Sequence, residues 1–236
     1  LKKATALAAA LLGAAACGPR VEPPATPPPP AEAAADSGVA DDLHDELQAL
    51  DGTAWVRSYD PARSAGGLNL LLYRRRVPAI IDLNGRLVHS WPQVRATGRA
   101  RLDAEGRLTV IGTDSRIKEY DWDGRLLWSF ALPGAEDLPH HDLIKLRSGS
   151  VLVLAVDRVA RTDYLLEVQP NGTVTWRWSF ADHRDAFAGW NTELANPTHT
   201  NSIHELPPNR WHQAGDQRFR PGNILVSARN LSTVFI

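Results

Sequence analysis

The 236-residue chain carries 26 Lys and Arg against 27 Asp and Glu, a formal net charge of −1. That balance excludes the basic footprint of a nucleic-acid-binding protein and gives no reason to expect a strongly acidic partner. Its 43% hydrophobic content is enough to bury a core, so one globular domain with extensions is expected. The single cysteine, Cys17, excludes an intramolecular disulfide and a Cys-based zinc cluster.

Residues 1–17, LKKATALAAALLGAAAC, have the order of a secretory signal: Lys2 and Lys3, an apolar run from Ala4 to Leu12, then small residues. The run is too short to span a membrane. Ala14-Ala15-Ala16-Cys17 resembles a bacterial lipobox, although Ala14 stands where Leu is usual. On that reading Cys17 is lipidated and tethers an exported protein to the membrane. Gly18, where Asp would signal the inner membrane, implies the periplasm and an outer-membrane anchor. The alternative is ordinary cleavage after an A-x-A site, with Cys17 incidental. Residues 18–36 form a Pro/Ala-rich linker that favours extended chain. Within 37–51, Val39, Leu43, Leu47 and Leu50 recur at helical spacing behind an Asp36/Ser37 cap, which predicts a short amphipathic helix with His44 solvated.

From residue 52 onward the pattern changes to short apolar runs broken by X-Gly turns, and two kinds alternate. IIDLNGRLVHSW (80–91), EYDWDGRLLWSF (119–130) and LEVQPNGTVTWRWSF (166–180) turn at Gly85, Gly124 and Gly172. Four residues after each Gly stand His89, Trp128 and Trp176, and six after stand Trp91, Phe130 and Trp178. A spacing of two places both positions on one strand face, an aromatic layer in which His89 holds a Trp position and is read as structural. The second kind is RARLDAEGRLTVIGTD (99–114), LIKLRSGSVLVLAVD (143–157) and, after an insertion, RPGNILVSARN (220–230). Turns of like kind lie 39, 48 and 43 residues apart. Four strands per 40–48 residues is the arithmetic of a β-propeller blade, so an all-β propeller over 52–236 is predicted ahead of a sandwich. About four blades fit. The chain stops at STVFI in mid-strand, so the expectation is of a propeller incomplete at its C-terminus.

Polar residues interrupt the apolar repeats at one phase. Leu146 and Leu206 follow Asp142 and Ser202 by four residues, which aligns His140-His141-Asp142 with Thr200-Asn201-Ser202 and sets His199 just before. Equivalent repeat positions share one end of neighbouring blades, so both clusters should face one rim. Pairing of the strand beginning at Asn201 with the one ending SARN should bring Arg229 and Asn230 back beside His199. Imidazoles, amides and a guanidinium converging in this way suit a tetrahedral anion. A His/His/Asp metal site has suitable donors. Adjacent strand residues point to opposite faces, however, so His140 and His141 should not ligate one ion together, and no metal site is expected. His183, among Asp182, Arg184 and Asp185, reads as solvated. The loop 207–220, with Trp211 and His212, either caps the pocket or is a surface insertion, and the second reading is preferred.

HHD-x4-L-x2-G-x2-LVL, HTNSI (199–203) and GNILVSARN (222–230) together resemble the bacterial arylsulfate sulfotransferase family over roughly residues 68–236. The resemblance implies a six-bladed periplasmic propeller that moves a sulfuryl group from a phenolic sulfate ester to another phenol. It implies a sulfated histidine intermediate and no nucleotide sulfate donor or other cofactor. By motif position His140, His141 and His199 are the catalytic histidines, and Asn201 and Arg229, with Asp142 and Asn230 beside them, bind substrate. The family's sulfated histidine lies downstream of the Arg-Asn segment, so the expectation is that the nucleophile is missing from this chain. The competing reading is a non-catalytic, membrane-tethered propeller scaffold, since a fold does not fix a function.

Overall fold

The computed structural model describes residues 45–47, 49, 56–187 and 196–236. The signal segment, Cys17, the linker and most of the expected 37–51 helix lie outside the described residues. Within that helix, residues 45–47 and 49 are helical, and Leu47 is fully buried with Val77 and Ala79.

The described residues form fourteen strands in four antiparallel sheets. β1 (Asn69–Tyr73), β2 (Val77–Ile81) and β3 (Leu87–Ser90) make the first. β4 (Ala96–Leu102), β5 (Leu108–Gly112), β6 (Ile117–Tyr120) and β7 (Leu126–Phe130) make the second. β8 (Leu138–Lys145), β9 (Val151–Asp157), β10 (Thr162–Val168) and β11 (Val174–Ser179) make the third, and β12 (Thr200–Glu205), β13 (Ile224–Ala228) and β14 (Thr233–Phe235) the fourth. Each sheet is a meander in sequence order, as propeller blades are.

The turns follow from the X-Gly pairs. At Gly124 the amide donates to Asp121 O (3.1 Å) while Asp121 N donates to Arg125 O (3.0 Å), a three-residue loop with the glycine in the left-handed region. The same pair of bonds recurs at Gly85, Gly106, Gly149 and Gly172, all with φ between 77° and 87°. A side chain there would be strained, which is why glycine marks the repeat.

Packing between blades follows from the period of two. In β9, Val151 and Val153 join Ile111, Ile117 and Leu143 in the layer between the second and third blades. Leu152 and Leu154 join Ile144, Leu165, Ile203 and Val226 between the third and fourth. Both faces of β9 are therefore covered, and each of its buried Val or Leu side chains contributes about 1.5–3 kcal/mol of transfer free energy. The aromatic layer packs forward onto the next blade. Trp91 is fully buried with Leu108 and Tyr120, and Trp128 and Phe130 pack against Tyr164 and Leu166. Trp176 departs from the pattern and is 41% exposed. His89 stacks on Trp122 at 4.0 Å, and its Nε2 lies 2.9 Å from Trp122 O, which makes it a strut between blades.

The insertion between β12 and β13 holds a four-residue helix α1 (Arg210–Gln213), capped by Asn209, and a 3-10 turn (Gln217–Phe219). It leaves β12 at Glu205, the end remote from Thr200, about 20 Å away along a six-residue strand. It therefore cannot cap the histidine cluster. His183 is exposed but also stacks on Trp178, with ring centroids 5.1 Å apart.

Candidate functional site

The first strand of each later blade begins with a bulge at the same end. Between Ala96 and Ala100 β4 has two residues more than β5, and between Pro139 and Leu143 β8 has two more than β9. β12 has one extra between Thr200 and Ser202. Bulges break the alternation of side chains and re-aim them. In β4 the third residue of the bulged segment is Gly98 (φ 77°), and the equivalent residue in β8 is His141 (φ 60°). A non-glycine residue there costs about 1–2 kcal/mol. In return, His140 and His141 lie on the same side of the chain, with ring centroids 4.8 Å apart. The expectation from strict alternation, that they face opposite ways, is thereby corrected.

His140 is held by a residue that sequence reasoning missed. Its Nε2 is 2.9 Å from Oδ1 of Asp163 on β10. That carboxylate, 2% exposed, also accepts from Asn196 Nδ2 (2.7 Å), Thr198 Oγ1 (2.5 Å) and Thr200 N (2.6 Å). Burial alone would raise the pKa of Asp163, but the bonds from His140, Thr198 and Thr200 outweigh it and hold the carboxyl below its ordinary range. Asp163 is therefore an anion that fixes the orientation of His140 and anchors the chain entering β12.

His199 (φ 38°) closes the cluster. Its Nε2 lies 3.0 Å from His141 Nε2 and 3.2 Å from Arg229 Nη1. Because a guanidinium can only donate, His199 Nε2 is assigned as the acceptor, so its proton sits on Nδ1. His141 Nε2 is then the second donor to that lone pair, which leaves His141 Nδ1 without a proton. Both rings are favoured neutral. Burial, then the charges of His140 and His199, and Arg229 as well, lower the pKa of His141; burial and then Arg229 lower that of His199. Arriving negative charge would reverse this balance.

The other sequence-predicted residues divide. Arg229 is exposed at the cluster, and Asn201 is exposed on the β12 bulge. Asn230 instead pins the approach to β12, with its backbone N donating to Thr198 O (3.1 Å) and its Nδ2 to Asn196 O (3.0 Å). Asp142 is fully buried and faces the preceding blade. It is 2.9 Å from Arg101 and 3.2 Å from Arg99, and it accepts from Leu143 N and Ile203 N. Its assignment to substrate binding is corrected: a carboxylate so occupied ties three blades together and has no capacity left for a ligand.

Beside the histidines opens a cavity of about 610 Å³, lined by His140, His141, Thr97, Arg99, Arg75 and apolar residues of the first two blades. Among the described residues no cluster of His, Cys, Asp or Glu has the geometry to hold a metal ion. Three imidazoles, one guanidinium and a buried carboxylate that orients rather than contacts are suited to gripping a small oxyanion and exchanging protons with its leaving group.

The arylsulfotransferase (ASST) family model matches residues 54–236, every described blade included. The chain belongs to the arylsulfotransferase family. In this family member, then, the propeller predicted from repeat arithmetic is the observed architecture. Among solved structures, BBS1N in complex with ARL6DN, soaked with lead, is similar at 16% identity and a TM-score of 0.43, over 72% of this chain and 43% of that one. The same complex soaked with mercury gives 16% and 0.41 over 73% and 51%. The chain thus spans about half or less of the length of these two relatives. No curated protein matches it.

Proposed function

We propose that this arylsulfotransferase moves a sulfuryl group from a phenolic sulfate ester to a phenol acceptor through a sulfated histidine. The observation that carries the reading is the convergence on His199 Nε2 of His141 Nε2 (3.0 Å) and Arg229 Nη1 (3.2 Å), beside a cavity of about 610 Å³. Sulfuryl transfer, like phosphoryl transfer, is governed by alignment and charge stabilisation. In the first half, an imidazole nitrogen attacks sulfur in line, the S–O(aryl) bond breaks, and the departing phenolate takes a proton. In the second, the acceptor phenol loses its proton, its oxygen attacks sulfur, and the N–S bond breaks.

Arg229 and a protonated His199 would hold the sulfuryl oxygens, and His141 would exchange the proton with the phenol. Each Nε2 in the cluster already has a partner: Asp163 for His140, and Arg229 and His141 for His199. Those contacts suit roles in binding and protonation. Asn201, exposed on the β12 bulge, would add an amide donor. The test is incubation of the full-length protein with an aryl sulfate and a phenol, followed by peptide mass spectrometry. Transfer with a sulfated histidine other than 140, 141 or 199 is expected. Transfer without any sulfohistidine would refute the two-step route, and no transfer at all would leave a tethered scaffold.

We also propose that the protein is exported and lipid-anchored through Cys17, on the strength of the Lys2-Lys3, apolar-run, Ala-Ala-Cys order. Partition into detergent that is lost in Cys17→Ser would support this; an unmodified Cys17 in the mature protein would refute it.

A further inference from the structure

The cavity beside the histidines has a composition that the sulfuryl cluster alone does not require. Leu70, Leu72, Ala100 and Ile111 supply apolar wall, Arg75 and Arg99 line it with the histidines, and no Asp or Glu is among its lining residues. A cavity of this volume, about 10 Å across if round, takes a substituted aromatic ring with room for further substituents.

Arg75 reaches the cavity from the turn between β1 and β2, where Arg76 N donates to Tyr73 O (2.9 Å). Its two central residues, Arg74 (φ 46°) and Arg75 (φ 59°), occupy left-handed conformations that Asn and Gly fill most readily. Arg74 bonds outward to Glu46. The Arg75 backbone N donates to Leu72 O (3.0 Å), and its guanidinium has no hydrogen bond or ion pair among the described residues. Arg99 pairs with Asp142 through Nε at 3.2 Å, yet that buried Nε makes no hydrogen bond. One unpaired guanidinium, Arg75, and a second, Arg99, whose charge is shared with Asp142, therefore border this space, separate from the Arg229 that faces His199.

We propose that this cavity holds the aryl part of the substrate and that Arg75 is a specificity-determining residue, recognising a second, anionic substituent on the ring. The proposal rests on the sulfuryl-transfer reading. The preferred phenols would then carry a carboxylate or similar anion. A guanidinium pairs with a carboxylate through two parallel, charge-assisted bonds, which gives the ring a fixed orientation as well as affinity. The apolar wall excludes water from one side and strengthens that pairing, and Arg99, only partly offset by Asp142, adds to the same field. A neutral phenol gains the wall but not the pair.

The test measures binding without turnover, by titration calorimetry on the full chain at neutral pH and low salt. The probes are 4-hydroxybenzoate, phenol, benzoate and inorganic phosphate. 4-Hydroxybenzoate should bind at least tenfold more tightly than each of the others. Arg75→Asn suits the turn and removes the charge, so it should bring the ratio of 4-hydroxybenzoate to phenol close to one; Arg75→Lys should keep part of it. Melting curves establish that both variants are folded. The proposal is overturned if 4-hydroxybenzoate and phenol bind equally, or if neither binds measurably at millimolar concentration. It is also overturned if the preference survives Arg75→Asn, or if benzoate or phosphate binds as tightly as 4-hydroxybenzoate. Since no sulfuryl group moves, the result is independent of the transfer assay. Transfer without the preference refutes the cavity assignment alone, and an Arg75-dependent preference without transfer refutes the transfer reading alone.

Discussion

Replacing Asp163 by Asn keeps the side-chain shape and substitutes an NH₂ donor for one carboxylate oxygen. On the Oδ1 side the new donor would meet His140 Nε2 and Asn196 Nδ2; on the Oδ2 side, Thr198 Oγ1 and Thr200 N. His140 can change tautomer and Thr198 can rotate to accept. Neither adjustment is open to the Thr200 N–H, and turning the Asn196 amide would sacrifice the bond its Oδ1 accepts from His199 N. In either orientation one buried donor faces another, at about 1–3 kcal/mol, and the remaining bonds lose their charge assistance, for a total near 3 kcal/mol. For a domain of this size that lowers Tm by about 6–12 °C. Thermal and urea melts read the loss, and nitrogen NMR reads the His140 tautomer. The depressed pKa of Asp163 fixes the pH dependence. Its contribution is complete above the carboxyl's unfolded value and disappears as pH falls through the folded one, so the gap between wild type and variant should narrow in acid. A Tm within about 1 °C of wild type, with His140 unchanged, would refute this account of the dyad.

Asp142→Ala leaves Arg99 and Arg101 without their shared buried anion and should cost about 3–5 kcal/mol, read as a lower urea midpoint; a change below about 1 kcal/mol would return Asp142 to the candidate binding residues. Arg229→Gln should weaken sulfate binding about tenfold in calorimetry while Tm stays within about 1 °C, because the side chain is exposed; a large Tm drop with unchanged affinity would make it structural. Sulfate binding should take up a proton, since the anion offsets the burial and positive neighbours that keep His141 and His199 neutral. Affinity should therefore rise as pH falls, by up to about tenfold per unit if one proton is bound. Calorimetry in buffers of different ionisation enthalpy checks this, and a pH-independent affinity would contradict it. The ligand-free protein should behave in the opposite way. Its depressed histidine pKa values mean that the unfolded chain binds protons the folded one does not, so stability falls as pH drops below the ordinary histidine value.

How much of the site was legible depended on the range of the contacts. The blades could be read because their signal is local: a glycine at each left-handed turn position and an apolar residue at every second place. Arg229 could be placed beside His199 because both sit at the ends of one paired hairpin, where register alone fixes proximity. Asp163 could not, because its four donors come from residues 23, 33, 35 and 37 positions away. In sequence it is one acid at the start of an apolar strand, TDYLLEV, and that exception to the alternation was the available signal.

The orientation of His140 and His141 was misread for a different reason. Alternation holds only in unbulged strands, and the bulge leaves its clearest sequence trace in the neighbouring blade, where Gly98 occupies the equivalent left-handed position. Aligning Ala96-Thr97-Gly98-Arg99 with Pro139-His140-His141-Asp142 would have shown a histidine at a glycine position. The same alignment sets Arg99 opposite Asp142, the pair that locks one bulge to the next. The strain at His141 and the buried charge at Asp142 are thus parts of one device. The ion pair and the bonds Asp142 accepts from Leu143 N and Ile203 N hold the bulged strand in place, and the bulge turns both imidazoles toward His199. His141→Gly should then raise stability by about 1–2 kcal/mol, through relief of the left-handed strain, while abolishing the His199 contact. A gain in Tm accompanied by weaker sulfate binding is the expected result. A loss of Tm would mean that the imidazole contacts outweigh the backbone strain, and that the bulge is held by the histidines rather than by Asp142.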